Sequence, residues 1–225
     1  MSNYANARSD VACSAELPGH DSLWFLHIPG NAGGSIRKAM GQHGGNHKSF
    51  HHHKASKMIQ VFAAARDKQI FTVIRDPVDR ALKAWSWAGR QRTWGPLLSD
   101  DEARVYSALF ASGDPSRFFE LIDFEALAKV CHHFTPQVDY VDAPSVRLIT
   151  LENLQDELDG LTSEYGGARI VLPVERVHES GRPAADTISS EAVSRILKFY
   201  FEDYFLHQSL LLVRTKRDEK GRVFL

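Results

Sequence analysis

The stretch "WFLHIPGNAGGSI", Trp24 to Ile36, is an apolar run that stops at Pro29 and gives way to Gly30, Asn31, Ala32, Gly33, Gly34 and Ser35. Glycines let a backbone turn successive N–H groups around a phosphate-like anion, and a following helix N-terminus adds favourable potential. Ser35 adds a hydroxyl donor. The stretch holds no lysine or arginine, so any anion held there needs its counter-charge from elsewhere. It is neither a Walker A loop nor a GxGxxG turn. A plain strand-to-helix turn is the competing explanation.

A second stretch, "FTVIRDPVDRALKAW", sets Arg75 where an apolar run ends, so that its guanidinium can grip a phosphate bidentately. Asp76 suits a helix N-cap. Arg80 and Lys83 share a helix face with Asp76, and the pairing expected for Arg80 is an internal salt bridge to Asp76 or Asp79. Lys83 is either a second phosphate contact or a solvated lysine. Between these stretches stand His51, His52 and His53. A histidine titrating near neutrality is a natural general base. Three in a row also fit a solvated loop, and no neighbouring carboxylate or cysteine completes a zinc set. His27 reads as a structural histidine inside a strand. His132 and His133 read as structural or as lining an acceptor site. Trp85, Trp87 and Trp94 fit a core better than a stacking site, and Glu152 fits capping or packing.

The elements that must position these residues follow from periodicity and punctuation. Leu23–Ile28, Gln69–Ile74 and Ser145–Leu151 read as buried strands. Helices are expected from about Gly34, over "ASKMIQVFAAAR", from Pro77 to about Gly89, near Asp101–Phe110 and Ser116–Val130, from Asn153 onward, and from Ser189 to about His207. The segment "GQHGGNHKSFHHHK" reads as a loop. Strands alternating with helices predict an α/β fold, a mainly parallel sheet flanked by helices on both faces, with ligands at the carboxyl ends of the strands. Residues 1–21 are expected to be flexible, and 22–225 to form a single domain.

Bulk composition narrows the class. With 225 residues, 43% hydrophobic and 24% charged, the chain has the make-up of a soluble globular protein. A net charge of -1 gives no global pull toward nucleic acid or an anionic membrane. Two distant cysteines make neither a disulfide framework nor a metal knuckle. No signal-peptide core or membrane-length apolar run is present, so a cytoplasmic location is expected.

Taken together, the two stretches resemble the cofactor signatures of the sulfotransferase superfamily, in particular its carbohydrate-type branch with "HIPKTAGGSI" and "VRDPxDRxxSAY" patterns. Downstream, "HHFTPQVDYV" is similar to that family's H-x-x-PQ-x-x-Y segment, "LITLENLQDEL" to its E-N-L turn, and "ISSEAVSRILKFYFEDYFL" to its terminal helix. The resemblance spans roughly Leu23 to Leu206, in order. It implies a P-loop-NTPase-like sulfotransferase fold. The implied co-substrate is 3'-phosphoadenosine-5'-phosphosulfate, no metal is required, and the acceptor is a hydroxyl on a small molecule or saccharide. Gly30 to Ile36 would form the 5'-phosphosulfate loop, Arg75, Lys83 and Arg182 would serve the 3'-phosphate or substrate, and His53, with His51 and His52 behind it, would be the base. Two departures stand out. The loop lysine and threonine of the family are Gly30 and Asn31 here, and its serine is Lys83. Loss of a charge preorganised on the leaving group typically raises a barrier by ~3–4 kcal/mol. Either another cation substitutes, with Arg37 and Lys38 nearest in sequence, or the enzyme is slow, or the chain binds the nucleotide without transferring sulfate.

Overall fold

The computed structural model describes residues 23–42, 50–51, 53–61, 69–89, 100–164, 169–173 and 183–218. Four strands form one parallel sheet: β1 (Leu23–His27), β2 (Phe50–His51), β3 (Gln69–Ile74) and β4 (Val146–Thr150), in the spatial order β2-β1-β3-β4. The side chains of β1 and β3 alternate between two apolar layers, as a strand's period of two requires. Leu23, Phe25, Phe71 and Val73 pack with Ile36 and Ala39 of α1 (Gly33–Gln42) and with Leu154 and Leu158 of α7 (Leu154–Glu164). Trp24, Leu26 and Ile70 pack on the other face against Ala55 and Met58 of α2 (Ala55–Val61). Both faces are covered, which is why these strands are apolar throughout rather than alternating in the sequence.

A larger helical layer holds α3 (Pro77–Ala88), α4 (Asp100–Ala111), α5 (Pro115–Leu121), α6 (Phe124–Val130) and α8 (Ser190–Phe199), around Phe118, Phe119, Phe134 and Tyr200. A 3-10 turn at Ala185–Thr187 precedes α8, and α9 (Phe201–Asp218) follows it. Helix α3 starts as its sequence dictates. Asp76 accepts the Asp79 N–H at 3.0 Å, and Pro77 takes the first helical position, where its missing donor costs nothing.

The structure differs from the sequence expectation in three places. The glycine- and histidine-rich segment contributes β2, paired Leu26 to Phe50 and His27 to His51. The helix expected over 116–130 is two helices, because Ile122 is extended and Asp123 caps α6 through the Ala126 N–H. The terminal helix is also two, divided at Tyr200, whose buried hydroxyl donates to the Phe134 carbonyl at 2.7 Å. That bond reaches across 66 residues, and a local periodicity cannot register it. The expectations for residues 1–21, His52, Trp94 and Arg182 lie outside the described residues. Among the described residues, no helix is long and apolar enough to cross a membrane.

Candidate active site

The sheet register gathers the candidate residues at one edge. Partners differ by 24 positions between β1 and β2, by 46 between β1 and β3, and by 76 between β3 and β4. One residue past the last paired positions, the β3–β4 offset sets Arg75 level with Leu151, while the chain after β1 has already turned away at Pro29–Gly30. The ladder does continue, since the Leu151 N–H donates to the Ile74 carbonyl at 2.9 Å. Neighbouring backbones in such a row lie about 4.8 Å apart.

The loop after β1 has an unusual backbone. Gly30 has φ +86° and Ala32 φ +57°, while the intervening Asn31 is not in the left-handed region. This alternation of sign turns successive N–H groups to one side, the pattern of an anion-binding nest. Among the described residues, the N–H groups of Ala32, Gly33, Gly34 and Ser35 have no backbone acceptor, whereas that of Ile36 bonds the Ala32 carbonyl at 3.0 Å. They form the open first turn of α1, the end that favours negative charge. Gly33 is required by close approach. A Cβ there would stand 2.0 Å from the His27 imidazole, whose ring stacks on Phe25.

The loop is clamped from three directions. Asn31 is 1% exposed, and its amide nitrogen donates to the Val73 carbonyl at 2.6 Å and to Gln137 Oε1. Its side chain thus points into the protein. Arg75 Nη1 donates to the Gly30 carbonyl at 2.9 Å, while its Nε and Nη2 reach Asp79 Oδ2 at 3.1 and 2.7 Å. Arg80 Nε donates to the Pro29 carbonyl at 3.1 Å and Nη2 to the Thr135 carbonyl at 2.7 Å, with the guanidinium 5.9 Å from the Tyr200 ring centre. The salt bridge expected of Arg80 is therefore made by Arg75, its competitor for Asp79 at i, i+4 spacing. Arg80 instead fastens the loop to the 132–135 segment.

Gln137 joins these parts. It is fully buried. Its Oε1 accepts from the Arg75 N–H at 3.0 Å as well as from Asn31, and its Nε2 donates to the Arg75 carbonyl at 2.9 Å. The side-chain amide thus completes the end of β3 as a further strand would. The N–H groups of Gln137 and Val138 donate to Asp203 of α9 at 2.8 and 2.9 Å. Burial pushes the Asp203 pKa up, and those N–H groups together with Arg80 hold it back.

Beside Arg75 and Asp76 lies a pair that sequence reasoning did not join. His207 Nε2 and Glu152 Oε1 are 3.0 Å apart. Burial pulls the His207 pKa down, but the bonded Glu152 and nearby Asp76 more than offset this and hold it above the ordinary histidine value. Burial raises the Glu152 carboxyl, and His207 and Arg75 outweigh that and leave it below the usual range. The available signal was spacing: Asp203, His207 and Arg214 recur along one side of α9, where Asp203 holds the 137–138 backbone and Arg214 pairs with Glu157 of α7 at 2.9 Å.

On the opposite side, His53 is exposed, just before α2 and two residues beyond His51, which pairs with His27. Helix α2 is fixed there by the Tyr140 carbonyl, which accepts the Ala55 N–H at 2.8 Å, and by Asp142, which accepts from Ser56 N–H and hydroxyl. A cavity of about 280 Å³ adjoins it, lined by Lys54, Lys129, His132, Thr135, Asp139 and Tyr140. His133 stacks on Trp87 with ring centres 3.6 Å apart, and burial, aided by His132, Arg80 and His27, lowers its pKa to about 3, so it is neutral at physiological pH. A larger cavity, about 630 Å³, is lined by β4, α7 and α9 and touches neither the loop nor α3.

Lys83 is half-buried on α3, and its stem lies against Gly30. Arg37 Nε turns back to the Gly33 carbonyl at 3.3 Å, and Lys38 is exposed on α1. Among the described residues, no group of three His, Cys, Asp or Glu side chains is placed to hold a metal ion. No protein-family model matches the chain, and no curated protein matches it significantly.

Proposed function

We propose that this chain is a sulfotransferase with a P-loop-like fold, which takes 3'-phosphoadenosine-5'-phosphosulfate along the carboxyl edge of its sheet and passes the sulfuryl group to a hydroxyl of a small molecule or saccharide. The observation that carries the reading is the coupling of two strand ends. The nest-like loop after β1, with its open N–H groups, is tied to the end of β3 both by Arg75 on the Gly30 carbonyl and by Asn31 through Gln137. One anionic ligand with phosphates at both ends suits two anion sites held at fixed separation. The donor chemistry also fits: backbone N–H groups, a hydroxyl and arginine, with no carboxylate among Gly30–Ile36.

In this reading the loop amides and Ser35 hold the 5' side, while Arg75, bonded to the Gly30 carbonyl and to Asp79, keeps the loop and the strand end beside the 3' side in register. His53 takes the proton of the acceptor hydroxyl. The cavity lined by Lys54, His132 and Tyr140 receives the rest of the acceptor. Sulfuryl transfer is mainly a matter of positioning and charge stabilisation, so a rigid loop is the main requirement. The test is to incubate the protein with labelled phosphoadenosine phosphosulfate and a broad set of hydroxyl acceptors, and to follow release of adenosine 3',5'-bisphosphate. Acceptor-dependent release, lost in His53→Ala, supports the reading. Tight nucleotide binding with no release for any acceptor favours a binding protein without transfer, the alternative motivated by glycine at position 30.

A further inference from the structure

The cavity of about 630 Å³ beside β4 takes no part in the proposed transfer, and its walls are specific. Among the described strands β4 is outermost, so one of its edges faces away from β3. Successive backbone groups along a strand point to opposite edges. The Leu151 N–H points inward, to the Ile74 carbonyl, and the Thr150 N–H points outward, where Glu157 Oε1 accepts it at 3.0 Å. By the same alternation the N–H and carbonyl of Leu148 point outward, and among the described residues nothing bonds them.

Two helices overhang this edge. Leu154, Leu158 and Leu161 of α7 pack with Ile149 on one face of the sheet, and Leu206 and Leu210 of α9 pack beside Ile74 and Leu148 on the other. Arg214 of α9 bonds Glu157 of α7 at 2.9 Å and closes the slot near Thr150. A strand residue in a packed sheet fills roughly 160 Å³, from a rise of about 3.3 Å, a strand spacing of about 4.8 Å and a layer depth of about 10 Å. The slot therefore has room for about four residues of an added strand.

We propose that this slot is a strand-addition site, where β4 takes up an extended segment of a partner protein whose side chains alternate basic and apolar. The site is separate from the one that carries the sulfotransferase reading and stands without it. Main-chain bonds at an open edge supply affinity, and the two walls read alternate side chains. On the α7 wall Asp156, Gly160 and Glu164 recur every four residues and so form one stripe. The α9 wall carries Leu210 and Val213, the latter 49% exposed. Glu157 and Arg214 neutralise each other and Arg147 offsets one further carboxylate, which leaves the slot net negative. A Cβ on Gly160 would meet nothing within 4 Å. Glycine weakens a helix interior, and no described neighbour requires it at this position, whereas a second backbone lying in the slot does.

The experiment is fluorescence anisotropy of a labelled, end-blocked peptide of three Lys-Val repeats, titrated with the full chain. Saturable binding is expected. It should weaken about tenfold when the peptide nitrogens of alternate residues are methylated, and about as much when glutamate replaces lysine. Gly160→Leu fills the slot and should also weaken binding about tenfold, with a melting temperature no lower than the wild type's, because leucine is the better helix former. Asp156→Asn combined with Glu164→Gln should weaken it about fivefold. No binding, equal binding of the methylated or the glutamate peptide, or no loss in a folded Gly160→Leu chain would overturn the proposal. So would binding that appears only after residues 219–225 are removed, which would make the chain's own end the occupant, or a dimer that Gly160→Leu dissociates, which would make it a second copy. The methylated peptide needs no variant, so the test stays decisive even where Gly160→Leu fails to fold.

Discussion

Replacing Gln137 by leucine should unfasten the site from its scaffold. Leucine has a similar volume, so the change removes polar partners more than it opens a cavity. In the wild type Gln137 is 0% exposed and satisfies three groups: the Asn31 amide, the Arg75 N–H and the Arg75 carbonyl. Asn31 keeps its bond to the Val73 carbonyl. The Arg75 N–H and carbonyl, at a buried strand end, lose their amide partner, and each such orphan costs about 1–3 kcal/mol. The sum, about 3–7 kcal/mol with about 1 kcal/mol for the Asn31 bond included, is a large part of the 5–15 kcal/mol typical of a domain's stability. Equilibrium unfolding in urea measures it. A double-mutant cycle with Asn31→Ala should show a coupling of roughly 1–2 kcal/mol, because both changes break one shared bond. A loss below about 1 kcal/mol for Gln137→Leu, or strict additivity in the cycle, would refute the account of Gln137 as the joint between loop and strand.

Other perturbations test other contacts. Gly33→Ala drives a Cβ to 2.0 Å from the His27 ring, so it should destabilise by about 1–3 kcal/mol in thermal melts, and His27→Ala in the same chain should recover much of that. Arg80→Met leaves the Pro29 and Thr135 carbonyls without their donors and should cost about 2–4 kcal/mol by chemical denaturation. The His207–Glu152 pair has a defined pH window. The raised His207 pKa contributes stability that is complete below 6.5 and lost as pH rises through its higher folded value. The depressed Glu152 pKa contributes stability present above 4.5 and lost as pH falls through its lower folded value. The difference in melting temperature between wild type and Glu152→Gln should therefore be greatest between pH 4.5 and 6.5 and shrink on either side.

What the sequence made legible was whatever depends on neighbours along the chain. β1 and β3 are largely apolar runs because both faces of the sheet are covered there, β4 is recognisable by its apolar residues around the exposed Arg147, and the start of α3 is written in Asp76 and Pro77. Strand β2 could not be read, because two residues, Phe50 and His51, make a strand only by pairing with Leu26 and His27. The break at Tyr200 was hidden because apolar spacing runs straight through it, while the cause lies at Phe134. The arginines show the same limit. Helix spacing offers Asp79 to a residue four positions away, and that residue is Arg75, which leaves Arg80 to bond carbonyls 51 and 55 positions distant. His207 was passed over because its partner, Glu152, is 55 residues earlier. The positions of the loop and of Arg75 at neighbouring strand ends were legible; the clamps that hold them together were not.

The central claim is that the loop after β1 and the end of β3 form one site for a nucleotide phosphorylated at both its 5' and 3' positions. Calorimetric titration with adenosine 3',5'-bisphosphate, set against ATP with Mg²⁺, tests it most directly. The account predicts saturable one-to-one binding of the bisphosphate, weakened when either phosphate is removed, and weaker binding of ATP. Preference for ATP with Mg²⁺, or no binding of the bisphosphate, would contradict it.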